Sequence, residues 1–246
     1  MKLKGGGMTF YADSKYPVND ELSGAHALQF EKFAQAGTWG TADQRLAVIA
    51  EARQAGIEAG LLEAPEDGGA ESTVTLPEEL CAVIRTLAVD CKAVDMETYQ
   101  RARAAGLSDP EYAELVAIVS FVVDLDVFAR GIGVPLRPFR DPQPGNPLRD
   151  IPEEAVPEKA FVPTIPNVPD CGPFGTELYG GHFKPYIMRG LSLVPDEYRA
   201  HVALEQAQYN PLLKVPVVEY CHHAGLTRPQ VEVVAGRVSA LNDCFY

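Results

Sequence analysis

Eleven of the chain's twenty prolines fall between Pro135 and Pro173, and no other feature restricts the fold so tightly. Proline donates no backbone hydrogen bond, fixes φ and clashes with the preceding helical turn, so a stretch this rich in it cannot be helical. On both sides of it apolar residues recur at helical spacing, and strict alternation never persists beyond a few positions. The pattern predicts an all-α chain: a helical unit over 1–134, an extended proline-rich linker over 135–173, and a second helical unit over 174–246.

Helix boundaries follow from local chemistry. Leu22, Ala25, Leu28, Phe30 and Phe33 form the stripe of a first helix, which ends at the turn Gly37-Thr38-Trp39-Gly40. Thr41-Ala42-Asp43-Gln44 has the Thr-x-x-Gln form of a capping box and opens a helix through Leu46, Ile49, Arg53 and Ile57. Pro77 starts another, with Leu80, Val83, Ile84 and Leu87 on one face, and a shorter helix runs from Met96 to Ala104. The apolar run from Leu115 to Phe128 contains Asp124 and Asp126, and is too short and too charged to span a bilayer, so it is expected to be a buried core helix. Beyond the linker, helices are expected near 179–188, 195–209, 215–223 and 228–241.

A chain of 246 residues that is 46% hydrophobic can bury a sizeable core. Its formal charge of -13 argues against nucleic acid or an anionic membrane as a partner, since both are bound through clustered Lys and Arg. Cys81, Cys91, Cys171, Cys221 and Cys244 include no Cys-x-x-Cys pair and are odd in number. With no apolar leader after Met1, they fit reduced thiols and a cytoplasmic location.

One segment is echoed. Ala105-Gly106-Leu107-Ser108-Asp109-Pro110 reappears as Ala224-Gly225-Leu226-Thr227-Arg228-Pro229, and the offset persists through Leu115 and Val234, Val119 and Val238, and Ser120 and Ser239. Each copy offers a Gly, a Ser or Thr N-cap and Glu111 or Gln230 three residues on, so each reads as a capped helix start. The echo fits one supersecondary unit used twice; it also fits two independent uses of a good helix-turn-helix sequence.

The last fifteen residues carry the chemistry. Glu232 lies on the expected closing helix, Asn242-Asp243 is a turn signal, and Cys244 follows it. On one straight helix the acid and the thiol would stand about 18 Å apart along the axis. The turn is therefore expected to swing Cys244 back toward Glu232, with Asp243 as the N-cap of a new helix that begins at Cys244. A thiol at a helix N-terminus is activated by the dipole, and Glu232 beside an apolar face would have its pKa raised.

Glu232, eleven intervening residues and Cys244 resemble the first part of the Glu-x11-Cys-x-x-Cys-x3-His signature of the alkylhydroperoxidase D and carboxymuconolactone decarboxylase superfamily. The resemblance implies an alkylhydroperoxidase D-like helical bundle, here as two tandem units with the second incomplete. It also implies an antioxidant peroxidase that reduces small hydroperoxides through thiols or a selenol. Glu232 would serve in a proton relay and Cys244 as the resolving thiol. A dithiol or lipoyl-type reductant and a homo-oligomer are implied as partners, with no cofactor and no metal.

The signature's second cysteine and its histidine fall beyond Tyr246, so the 246-residue chain is expected to lack peroxidase turnover. A selenocysteine codon directly after Tyr246 would explain the stop. The first unit has Glu58 and Leu61, or Leu125 and Phe128, at the aligned redox positions and is expected to be redox-silent. Two alternatives stay open: a non-catalytic helical oligomerisation or binding module with an incidental Cys244, and a carboxymuconolactone decarboxylase-type lyase.

Other residues read as structural. His222-His223 beside Cys221 lack metal-ligand spacing. Asp126 is expected to pair with Arg130 on the wet face of its helix. Cys81 and Cys91 are expected to be buried packing residues, His26 and His201 to lie on helix surfaces, His182 to sit in a Tyr-Gly-Gly-His turn, and Trp39 to anchor the first hairpin.

Overall fold

A computed structural model describes residues 10–65, 74–222 and 225–244. Among these there is no β-strand, and the chain is all-α. The helices are α1 (Asp20–Phe33), α2 (Ala42–Glu58), α3 (Glu78–Val89), α4 (Met96–Ala104), α5 (Asp109–Gly131), α6 (Gly172–Tyr179), α7 (Tyr186–Arg189), α8 (Pro195–Gln208) and α9 (Arg228–Leu241). Short 3-10 turns occupy Cys91–Ala93 and Leu212–Lys214.

The starts of these helices follow the caps written in the sequence. Thr41 and Gln44 form the expected reciprocal box at α2, with Thr41 N–H donating to Gln44 Oε1 at 2.9 Å. Ser108 and Glu111 do the same for α5, and Thr227 and Gln230 for α9. A cap of this kind is worth about 1 kcal/mol. The two echoed starts thus share a local geometry, each preceded by a glycine at positive φ, Gly106 and Gly225. They then diverge: α5 is the central helix, buried on most of its circumference, while α9 buries none of its residues.

α5 packs against α2 and α3, α4 packs against α3, and α8 lies across α1 and α5. Val83, Ile84, Ile49 and Phe33 from the first part of the chain share one buried cluster with Leu193, Val194, Ala200 and Leu204 from beyond the prolines. The proline-rich stretch is extended, as its composition requires, yet it is packed rather than free. Gln143 N–H donates to the Ala34 carbonyl and Arg149 N–H to the Thr38 carbonyl, each at 2.7 Å. Phe139 stacks on Phe30, with ring centroids 5.8 Å apart. Val162, Thr164 and Ile165 are buried, and an isolated antiparallel bridge joins Val156 and Thr164. Residues 135–170 therefore form a strap over the helices.

Two helix assignments differ from expectation. No helix spans 179–188: α6 ends at Tyr179 and α7 begins only at Tyr186, because Gly180 and Gly181 both adopt left-handed conformations and Pro185 disfavours a helical conformation at Lys184. Residues 215–222 form turns rather than a helix, with Pro216 unable to donate within them; His223 lies outside the described residues.

Three buried polar groups tie the helices together, and the first two correct a local reading. His26 is fully buried rather than on a surface. Its Nε2 lies 2.9 Å from Gln208 Nε2, and Gln208 Nε2 donates to Asp124 Oδ2 at 2.7 Å. Since the amide nitrogen only donates, His26 Nε2 must accept, and the ring proton resides on Nδ1, 2.7 Å from Tyr11 Oη. Asp126 is likewise buried and pairs with Arg53 of α2, not with Arg130. Arg53 Nε and Nη2 reach its two oxygens at 2.8 and 2.7 Å, and Arg53 Nη1 donates to the Arg137 carbonyl of the strap. The alternative pairing fails because Asp126 faces inward while Arg130 is exposed.

The third group joins α2, α5 and α8. The Arg45 guanidinium pairs with Glu114 and, at 2.7 Å, with Glu197. All three side chains are at most 5% exposed. Glu114 also accepts from the Trp39 and Gly40 backbone N–H groups at 2.6 and 3.1 Å. A Cβ at Gly37 would overlap both the Glu114 carboxylate and the Arg45 guanidinium, so the turn requires glycine there. Burial pushes the Glu114 carboxyl above the usual carboxylate range, with Arg45 opposing the rise.

Arg45→Met should lower the unfolding free energy in urea by about 3–5 kcal/mol, because it strands two buried carboxylates, whereas replacing all three residues together with apolar side chains of matched volume should cost far less. Burial lowers the His26 pKa to about 4 from an ordinary 6.5. The unfolded chain therefore binds the extra proton first. This contribution, on the order of 3 kcal/mol, is fully present above pH 6.5 and is lost as pH falls through about 4. Thermal melts of His26→Gln should show a flatter dependence across that window than the parent chain.

Candidate active site

α9 is the element that places Glu232 and Cys244. Its last turn closes with Asn242 as the C-cap, Asp243 at a φ of 48°, and the Cys244 N–H donating to the Ser239 carbonyl at 2.9 Å. This six-to-one hydrogen bond around a left-handed residue is a Schellman closure. Aspartate is among the few residues other than glycine that tolerate that conformation. The chain thus breaks where the Asn-Asp pair predicted, and Asp243 closes α9. Any helix that began at Cys244 would lie outside the described residues.

The break does not bring the thiol to the acid. Cys244 is tied to Ser239, seven residues and about 10 Å of helix beyond Glu232. Glu232 sits in the first turns of α9, where it accepts from Tyr209 Oη at 2.7 Å and from Arg228 Nε at 3.1 Å. The Tyr209 hydroxyl, together with the Arg228 guanidinium, holds its carboxyl below the usual range. The expected rise therefore gives way to a depression: Val233, Val234 and Val238 are exposed, so no apolar enclosure desolvates the acid. Glu232 is held ionised and accepts hydrogen bonds, while burial and the Glu232 hydrogen bond push the Tyr209 phenol up.

Cys244 is exposed. Beside it, Asp243 pairs with Lys92 at 3.0 Å, which connects the end of α9 to the 3-10 turn after α3. Cys91, expected to be buried, is exposed on that same turn because the chain leaves α3 at Asp90 before reaching it. Cys81 is half-buried, Cys171 is buried 3.4 Å from Thr176 Oγ1, and Cys221 is exposed with its sulfur 3.7 Å from the Glu219 carbonyl. His182 follows the glycine turn as expected, and the His222 ring lies 3.1 Å from Tyr220 Oη. Among the described residues, no group of three or more His, Cys, Asp or Glu could hold a metal ion.

A concave feature elsewhere went unseen in the sequence. Trp39, Arg45, Leu80, Leu107, Glu114 and Ile118 line a mostly apolar cavity of about 130 Å³. Trp39 Nε1 and Arg45 Nε are buried there without hydrogen-bond partners among the described residues. The partners in this cluster lie 69 and 152 residues apart along the chain, and no local spacing signals them.

No family model, curated protein or solved structure matches this chain.

Tyr209→Phe removes the hydroxyl that stabilises the Glu232 carboxylate. Its pKa should then move up toward the ordinary glutamate value, as read by carbon-detected NMR titration of the side-chain carboxyls. In the parent chain, the stabilisation from this group is present above the unfolded-state pKa and disappears as pH falls through the folded value.

Proposed function

We propose that the chain is a thiol-dependent reductant of small hydroperoxides of the alkylhydroperoxidase D type, built from two related helical units. The resemblance gives Cys244 the resolving role and implies no turnover without a second sulfur. We depart from it and assign the oxidation to Cys244 itself, because it is exposed past the end of α9, with Glu232 and Tyr209 as the proton relay. The observation that carries it is the ending of α9: a capped helix places the ionised Glu232 near its start and an exposed Cys244 just past a left-handed turn, at the Glu-x11-Cys spacing.

The chemistry asked of each group is modest. A thiolate attacks the distal peroxide oxygen and the O–O bond breaks, leaving a sulfenic acid and an alkoxide that needs a proton. Glu232, hydrogen-bonded to Tyr209, moves protons to and from that end of α9 through water, since the two sites are about 10 Å of helix apart. A cellular dithiol or lipoyl-type reductant returns the sulfur to the thiol, and assembly into a homo-oligomer accompanies the function.

A second reading has one observation in its favour. α9 exposes Val233, Val234, Val238 and Leu241, an apolar surface of the kind that docks a partner helix. As a non-catalytic binding or oligomerisation module the chain would use this face, and Cys244 would be incidental.

Treatment with one equivalent of cumene hydroperoxide should consume the peroxide and oxidise Cys244. Cys244→Ser should abolish this consumption, and Glu232→Gln should slow it by roughly ten- to a hundredfold. If the serine variant consumes peroxide as the parent does, the redox reading fails. If Val234→Asp changes the sedimentation behaviour while neither chain reacts with peroxide, the binding-module reading replaces it.

A further inference from the structure

The tertiary structure supplies something that the order of residues hides: one ion pair joins two turns that each carry an exposed cysteine. Cys91 and Cys244 are 153 positions apart by number and have no motif in common. Yet each is the immediate neighbour of one partner in the Lys92–Asp243 ion pair, whose nitrogen and oxygen are 3.0 Å apart. A lysine stem reaches about 6 Å and an aspartate about half that, so residues 92 and 243 lie within roughly 12 Å of each other. Both cysteines are exposed, and neither is in a disulfide.

From this juxtaposition we propose that Cys91 is the resolving partner of Cys244, and that the two form a reversible disulfide joining the end of α9 to the turn after α3. A disulfide needs Cα atoms about 4.4–6.8 Å apart, so the end of α9 must approach the turn by several ångströms. Little packing resists that approach: α9 buries no residue, and the Lys92–Asp243 pair holding its end is exposed. Cys81 is half-buried and Cys171 is buried, which leaves both less accessible than Cys91.

The step deepens the hydroperoxide reading and, for its oxidant, rests on it. Cys244 thiolate takes the distal oxygen of a hydroperoxide and becomes a sulfenic acid, while the remaining alkoxide is protonated to the alcohol. Cys91 thiolate then attacks the Cys244 sulfur, the S–S bond forms, the S–O bond breaks, and hydroxide leaves as water. Two thiols and one hydroperoxide yield one disulfide, one alcohol and one water. A dithiol reverses the bond by exchange.

The full chain, oxidised separately with cumene hydroperoxide and with the thiol oxidant diamide and digested with trypsin without reduction, should show residues 86–92 covalently linked to residues 238–246. A mixture of isotopically light and heavy chains should give only light–light and heavy–heavy links. In Cys91→Ser, hydroperoxide should leave a sulfenic acid on Cys244 that dimedone captures. A link from Cys244 to Cys221, mixed light–heavy links, or dimedone-reactive Cys244 in the parent chain with no link to Cys91 would each overturn the pairing while leaving the peroxide reading intact. A Cys91–Cys244 link with diamide but no Cys244 oxidation by hydroperoxide would support the pairing and overturn the peroxide reading. Unoxidised Cys244 under both reagents would overturn both.

Discussion

One guanidinium holds two carboxylates inside this protein, and much of the architecture is arranged around that fact. Arg45 of α2 faces Glu114 of the central helix and Glu197 of α8, all three removed from water. Charges taken out of water cost several kcal/mol each unless they are paired and hydrogen-bonded. The Trp39 and Gly40 amides provide the additional bonds at Glu114, and the absence of a side chain at Gly37 provides the space. With one positive and two negative groups, burial pushes the Glu114 carboxyl up and the Glu197 carboxylate adds to the rise, while Arg45 and the Trp39 amide oppose it. The cavity beside it inherits both the apolar lining and this polarised wall.

The same logic explains why the proline-rich stretch is no spacer. A chain without helical hydrogen bonds must find other partners for its backbone or leave it in water. Here Gln143 and Arg149 donate to carbonyls near the turn between α1 and α2, and the Arg137 carbonyl accepts from the Arg53 guanidinium that also grips Asp126. The His26, Gln208 and Asp124 bonds then clamp α8 onto α1 and α5. Segments on both sides of the prolines therefore contribute to one buried cluster.

α9 stands apart from that economy. It has good caps at both ends and no buried residue, so its local chemistry specifies the helix while packing does little to hold it. Its links to the rest are polar: Tyr209 to Glu232 near one end, and Lys92 to Asp243 near the other. An element held this way can shift at small cost, which suits both a terminal sulfur that must meet a substrate and an apolar face that must meet a partner.

How much of this was legible depends on the range of the interaction. The capping boxes at Thr41, Ser108 and Thr227, the helices they open, and the break at Asn242-Asp243 are settled within a few residues by backbone hydrogen bonding, and all could be read from the order of amino acids. The partner of Asp126, the burial of His26, the ionised state of Glu232 and the exposure of Cys91 could not. Each depends on which helix faces is opposed by which neighbour, tens of residues away. Local chemistry thus determined an all-helical chain and the positions of its caps and breaks. Tertiary packing alone decided which charges were buried together, which way an acid's pKa moved, and which two cysteines flank the same ion pair, because desolvation and Coulomb energies depend on distance in space rather than along the chain.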